Sequence, residues 1–261
     1  MSRGYADTPL GQVHYRTEGD GVPLLLLHMT PQSSRQFAHA FAPLANAGIR
    51  AIAPDLPGYG MSDAPEAPLK IEDYAAVLPH VLDHLEVDQA VIAGHHSGAS
   101  VACALANAFP GRVRRVVLHG IPWYTEEERE TRLANLHVDS ALRPDGSHLM
   151  DRWNWIRERV GGVASLEACH MAATEVFLTG EKEWYCHEAA FKYDMTAALT
   201  ELQQPSLVLT NTGDPLHYLV PRLTELRPDF KYCELEGGTV FFIWDEAERW
   251  VDAIVGFVKE G

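Results

Sequence analysis

The stretch Gln89-Ala90-Val91-Ile92-Ala93-Gly94-His95-His96-Ser97-Gly98-Ala99-Ser100-Val101 decides the fold. Gln89 to Ala93 is a short apolar run of the kind that forms a buried strand. From Gly98 to Phe109 small residues dominate, and the spacing is helical. Between the two, Gly94 and Gly98 stand two residues before and two residues after His96. Glycine is needed where a strand and the helix that follows it must pass close together at a sharp turn.

Outward from this point, strand and helix signals alternate. Gln12 to Thr17 alternates polar and apolar after a turn at Pro9-Leu10-Gly11, as an antiparallel edge strand does. Pro23 to His28 and Ile49 to Pro54 read as strands buried on both faces. Helices are expected from Ser33 or Ser34 to about Leu44, and from Ile71 to Leu85. Arg114 to Leu118 is a further strand. From about Pro122 to Ala197 the spacing is helical throughout, with Trp123, Trp153, Trp155 and Trp184. The alternation then resumes with strands at Pro205 to Thr210 and Phe230 to Leu235, and helices at Val220 to Leu226 and Glu246 to Val258. The expected class is α/β: a mostly parallel central sheet flanked by helices, with an inserted helical cap. Residues 1–122 and 197–261 form the core and residues 123–196 the cap, which lies over the sheet edge where such folds bind ligands.

Composition narrows the partners. The net charge of −15 argues against nucleic acid and anionic membrane, both of which need basic patches. A small-molecule substrate is the expected partner, and the sequence leaves open whether the chain forms a homo-oligomer. Cys103, Cys169, Cys186 and Cys233 form no CxxC pair and read as free thiols in a reducing compartment. No signal-like or membrane-spanning apolar run is present near Met1, so a cytoplasmic location is expected. Neither metal-ligand spacing nor a phosphate-binding glycine loop occurs, so no metal and no cofactor is expected.

Four segments carry a resemblance to the α/β-hydrolase superfamily. Leu26-Leu27-His28-Met29-Thr30-Pro31 resembles the turn whose backbone supplies an oxyanion donor, although most members have Gly where Met29 stands. Asp55-Leu56-Pro57-Gly58-Tyr59-Gly60-Met61-Ser62 is similar to the family's Asp-x-Pro-Gly-x-Gly-x-Ser loop. Gly94-His95-His96-Ser97-Gly98 resembles the nucleophile elbow, and Asn211-Thr212-Gly213-Asp214 the loop that holds the triad acid. In this order along the chain, the four imply the family's fold and a hydrolytic site at the sheet edge.

Two departures change the expected chemistry. The glycine spacing puts His96, and not Ser97, at the elbow apex. Ser97 at the apex would instead place His95 where only a small residue fits. Val240, in Gly237-Gly238-Thr239-Val240-Phe241, stands where the resemblance places the triad histidine, and no histidine follows His217. Valine transfers no proton. Asp214 keeps the acid position, and a buried carboxylate needs a partner. An imidazole on the elbow reaches further than a serine hydroxyl, so His96 is expected to bond Asp214 and serve as general base. The backbone N–H groups of Met29 and Ser97 are the expected oxyanion donors. His28, Thr30, His148, Trp153 and Val240 are the expected substrate contacts.

The reaction expected first is hydrolysis of an ester, lactone or related carbonyl in a small, largely apolar molecule, without a serine-bound intermediate. Two alternatives stay open. One is non-hydrolytic base chemistry, as a lyase, isomerase or cofactor-free oxygenase. The other is a catalytically silent ligand-binding protein.

Overall fold

The computed structural model describes residues 1–136 and 142–260. Eight strands form one sheet: β1 (Ser2–Thr8), β2 (Gly11–Glu18), β3 (Val22–Leu27), β4 (Ile49–Pro54), β5 (Ala90–His95), β6 (Val113–His119), β7 (Ser206–Asn211) and β8 (Lys231–Leu235). Their spatial order is β1-β2-β4-β3-β5-β6-β7-β8. β1 and β2 are antiparallel, β2 pairs antiparallel with β4, and every other pairing is parallel.

The run Leu24-Leu25-Leu26-Leu27 is apolar without alternation because β3 is central and both of its faces are covered. Leu25 and Leu27 enter one core with Ile92, Val101 and Leu118. Leu24 and Leu26 enter the other with Phe37, Phe41 and Trp250. Burying each leucine contributes roughly 1.5–3 kcal/mol. The second core is closed by α12 (Ala247–Lys259), which presents Trp250, Val251, Ile254 and Phe257.

The remaining helices are α1 (Phe41–Asn46), α2 (Ile71–Ala76), α3 (Leu78–His84), α4 (Ser97–Ala108), α5 (Glu126–Ala134), α6 (Ser147–Arg159), α7 (Leu166–Thr179), α8 (Tyr185–Lys192), α9 (Met195–Glu201), α10 (Val220–Leu226) and α11 (Phe242–Asp245). α5 to α9 lie between β6 and β7, and no strand falls in that interval among the described residues. No helix among the described residues is long and apolar enough to cross a membrane.

Three expectations are corrected. The edge strand is β1, whose exposed and glycine-bearing sequence carries little strand signal, and β2 is its inner neighbour. The single helix expected over Ile71 to Leu85 is two, because Pro79 lies in the first turn of α3, where its missing N–H costs nothing. The helix expected from Ser33 to Leu44 is a short 3₁₀ turn, Ser34–Phe37, followed by α1.

The loop after β4 ties the core together. Asp55 Oδ1 accepts from the Ser34 N–H at 2.7 Å. Its Oδ2 accepts from the Met61 N–H at 2.9 Å and bonds His14 Nδ1 at 2.8 Å. Gly60 lies so close that an added Cβ would stand 2.3 Å from Asp55 Oδ2. From the same loop, the Tyr59 hydroxyl donates to the Glu183 carbonyl and accepts from the Cys186 N–H. That pair of bonds fastens the start of α8 to the sheet.

Candidate active site

The chain winds outward from β3 to β4 and then returns to β5 on its other side. The carboxyl ends of β3, β5, β6, β7 and β8 thus deliver their loops to one place, the crevice where open α/β sheets bind ligands. His28 to Thr30 follow β3, His96 follows β5, Gly120 follows β6, Asp214 follows β7 and Val240 follows β8.

His96 is the turn between β5 and α4, with φ 50° and ψ −118°. That backbone is strained for a residue with a side chain, and strain of this kind collects at functional sites. Its flanks explain the glycines. A Cβ on Gly94 would stand 2.2 Å from the Gly98 carbonyl oxygen, and one on Gly98 the same distance from that of Leu27. The apex is therefore His96, and Ser97 is the first residue of α4. As such, its N–H has no partner within the helix.

The His96 ring turns toward the acid loop, and its Nε2 bonds Asp214 Oδ2 at 2.8 Å. Gly120 makes this possible: a Cβ there would stand 2.5 Å from His96 Cδ2 and 2.7 Å from Nε2. Asp214 is fully buried, and its Oδ1 accepts from the Leu216 N–H at 2.7 Å. Burial alone would push this carboxyl up. The charge and hydrogen bond of His96, with His119 and the Leu216 N–H, hold it below the ordinary carboxylate value. With Nε2–H given to Asp214, the lone pair of His96 lies on Nδ1. That atom has no partner among the described residues and is not enclosed, so it opens onto the cavity that His96 lines.

Behind His96 lie two more imidazoles, with ring centroids 4.5 Å apart for His95–His96 and 4.6 Å for His95–His119. Their tautomers are fixed by neighbours. The Met29 N–H donates to Gln36 Oε1, so Gln36 Nε2 donates to His95 Nδ1. Asn211 Nδ2 donates to the carbonyls of Gly237 and Thr239, so its Oδ1 accepts from His119 Nε2 at 3.1 Å. Burial, reinforced by His96 and His119, holds His95 well below its ordinary value, and burial outweighs Asp214 and Asn211 to hold His119 at about 4, so both are neutral near pH 7. His95, His96 and Asp214 each bring a ligand-capable atom within 4.8 Å of the others. The Gln36 bond nevertheless takes the one lone pair that neutral His95 has, which is a poor arrangement for a metal.

Two cavities meet at His96. One, of about 320 Å³, runs under α5, α6 and α8 and is lined by Tyr124, Arg132, Arg152, Trp155, Arg159 and His187. The other, of about 520 Å³, is lined by Met29, Ile156, Val160, Val176, Val240 and Phe241. Thr30, His96, Trp155, Arg159, His187 and Pro215 line both, so the two are lobes of one site.

Of the expected contacts, Thr30 and Val240 line the site. Four expectations are corrected. The Met29 N–H is no free oxyanion donor, because it is bonded to Gln36 Oε1 at 3.0 Å; Met29 lines the apolar lobe. His28 is fully buried, bonding the Met29 carbonyl through Nδ1 and accepting the Leu56 N–H at Nε2, so it shapes the turn and lines neither lobe. His148 accepts the Arg143 N–H at 3.2 Å and lines neither lobe. Trp153 packs against the apolar cluster that contains Met29, Phe241 and Trp244, while Trp155, on the other side of α6, faces the site. Gly120, Arg132, Arg152, Arg159 and His187 were not singled out from the sequence.

Residues 22–144 match the family described as alpha/beta hydrolase fold. The chain belongs to the α/β-hydrolase superfamily. Its curated relatives include haloalkane dehalogenase 2 of Mycobacterium tuberculosis, 32% identical over 155 residues that make up 59% of this chain and 53% of that protein. An epoxide hydrolase of Caballeronia sordidicola is 33% identical over 147 residues, 52% of this chain and 45% of that one. The chain thus spans about half the length of these relatives. Among solved structures, a bromoperoxidase from Bacillus anthracis superposes with a TM-score of 0.81 at 20% identity, over 99% of this α/β-hydrolase and 100% of that chain. The enol-lactonase of Burkholderia xenovorans does so with a TM-score of 0.75 at 22% identity, over 98% and 100%. At these identities the likeness concerns the fold.

The Ser97 hydroxyl has its own partners: it accepts the Thr30 N–H at 2.8 Å and bonds the Thr30 hydroxyl at 2.9 Å. Among the described residues no imidazole bonds it. Fluorophosphonate probes that label serine hydrolases are therefore expected to leave this protein unmodified. Intact-mass spectrometry after incubation checks this, and one stoichiometric adduct on Ser97 would refute it.

Proposed function

We propose that this α/β-hydrolase is an enzyme that activates water with the His96–Asp214 pair to cleave a small ester, lactone or related carbonyl compound. The observation that carries the reading is the 2.8 Å bond from His96 Nε2 to Asp214, which leaves Nδ1 facing the cavity. Nδ1 takes a proton from water as the water oxygen attacks the carbonyl carbon. The charge that gathers on the carbonyl oxygen is met by the Ser97 N–H at the start of α4 and by the one proton that the bonded Thr30–Ser97 hydroxyl pair has left to give. Collapse expels the alkoxide, which recovers the proton from Nδ1–H, giving acid and alcohol. Asp214 keeps the imidazole oriented and stabilises its charged form. The hydrolytic names of the sequence relatives agree with this reading.

The test is turnover of a panel of p-nitrophenyl esters and small lactones by the wild type and by His96→Gln. Hydrolysis that disappears in the variant supports the proposal. A wild type that binds these compounds and hydrolyses none would sink it.

A second reading rests on His187. This imidazole of α8 faces the cavity shared with His96, and burial, with His96 and nearby arginines, holds it down to about 4. His96 could take a proton from carbon beside a carbonyl and return it to a neighbouring carbon of the enolate, with neutral His187 donating a hydrogen bond to the enolate oxygen, which is isomerase chemistry. Deuterium uptake from solvent into unhydrolysed substrate distinguishes it. A silent binding protein, in contrast, would keep full ligand affinity and show no chemistry in either assay.

A further inference from the structure

The helix α6 divides the site. Arg152, Trp155 and Arg159 fall on one stripe, at spacings of three and four residues, and line the smaller lobe, with Trp155 and Arg159 at its border with the larger. Ile156 and Val160 fall on the adjoining stripe and face the larger. The chain carries 36 acidic against 21 basic residues. Yet among the described residues the smaller lobe is lined by three arginines, Arg132, Arg152 and Arg159, against one carboxylate, Glu183.

That carboxylate is taken. Arg152 and Glu183 form an ion pair, and the Arg152 guanidinium lies 5.3 Å from the Trp155 ring centroid. Arg132 and Arg159 make no ion pair with any carboxylate among the described residues. Arg159 lies 4.7 Å from the Trp155 centroid, and Arg132 lies 4.0 Å from that of Tyr124. Burial and the like charge of Arg132 hold Arg159 below its ordinary value. Two like charges beside one cavity, each seated on an aromatic face and neither paired with a carboxylate among the described residues, favour an anion placed between them. The opposite lobe offers Val160, Val163, Val176, Val240 and Phe241, which suit an apolar body.

We propose that Arg132 and Arg159 bind an anionic oxygen head group, carboxylate or phosphate, of a ligand whose apolar part occupies the larger lobe and whose middle passes His96. The proposal rests on the reading that this cavity takes the substrate, but its test reads binding and not turnover. It narrows the expectation of a largely apolar substrate to an amphiphilic anion.

The probes are hexanoate, monohexyl phosphate and neutral hexanamide, titrated against tryptophan fluorescence of the full chain, since Trp155 and Trp184 line the lobe. The protein used is His96→Gln, so a failure of the catalytic reading leaves this result intact. At least one anion is expected to bind about tenfold or more tightly than the amide. Arg159→Gln and Arg132→Gln should each remove most of that preference and leave hexanamide binding unchanged, while Arg159→Lys should keep part of it. Thermal melting of each variant separates loss of binding from loss of fold. Preference for carboxylate over phosphate, or the reverse, names the head group. Equal affinity for anions and amide, no anion binding at about 10 mM, or a preference that survives both substitutions in folded protein would overturn the proposal.

Discussion

Replacing His96 by alanine is expected to lower kcat/KM for an ester or lactone that the wild type hydrolyses by about 10³–10⁴-fold. Asp214→Asn should cost nearly as much, because the imidazole loses the acceptor that sets its tautomer and supports its charge. The double variant should be little worse than either single one, since the pair acts as a unit. Losses that simply multiply would show two independent residues.

The same substitution has a signature in stability. In the wild type Asp214 is held below its unfolded value near 3.8, so its contribution is present above that pH and is lost as pH falls through the lower folded value. In His96→Ala the largest remaining influence is burial, which raises the folded value above the unfolded one. The sign then reverses: the variant is destabilised at neutral pH, by as much as about 3–5 kcal/mol, and recovers on acidification through the raised value. Urea melts from pH 7 to 4 read this directly. A wild type and variant with parallel pH profiles would break the link between the two side chains.

Gly120→Ala is expected to reduce turnover by about a hundredfold or more, although no atom of Gly120 takes part in the chemistry. The new Cβ would overlap the His96 ring at Cδ2 and Nε2, the atoms beside the Asp214 bond. Either the ring swings out or β6 and its loop shift. The backbone at φ +62° adds strain of about 1–2 kcal/mol for any side chain. Gly48→Ala is the control, with φ +75° and nothing within 4 Å of its added Cβ. It carries the same strain with no collision and should lose stability only. Equal loss of activity in the two variants would show that strain, and not displacement of His96, is responsible.

The alternation of apolar strands and helices was enough to read the sheet, because central parallel strands such as β3 and β5 need unbroken apolar runs. β1 escaped because an edge strand owes its place to one neighbour and carries no such run. His96 and Asp214 were legible for a related reason: the glycines at 94 and 98 answer to backbone contacts fixed by the turn itself. What depends on which way a helix faces was not legible. Trp153 and Trp155 are two residues apart, on nearly opposite sides of α6, and only the packing of the cap against Met29 and Phe241 decides which meets the cavity. Met29 illustrates a second limit. Its N–H belongs to the right turn, but Gln36, seven residues on, consumes it. Gly120 had a signal, a glycine closing β6 at the sheet's functional edge, whose meaning depends on the ring it makes room for.

The proposed base and the backbone donor beside it are consecutive residues, 96 and 97. Their separation is therefore dictated by covalent bonds and by a single strained turn, and breathing of the loops after β7 and β8 leaves it unchanged. An imidazole supplied by a distant loop changes its distance to the donor whenever that loop moves. Here the loop after β7 can alter only the ring's angle and charge, through Asp214, so warming or cap motion should blunt the basicity of the pair before it spoils the spacing.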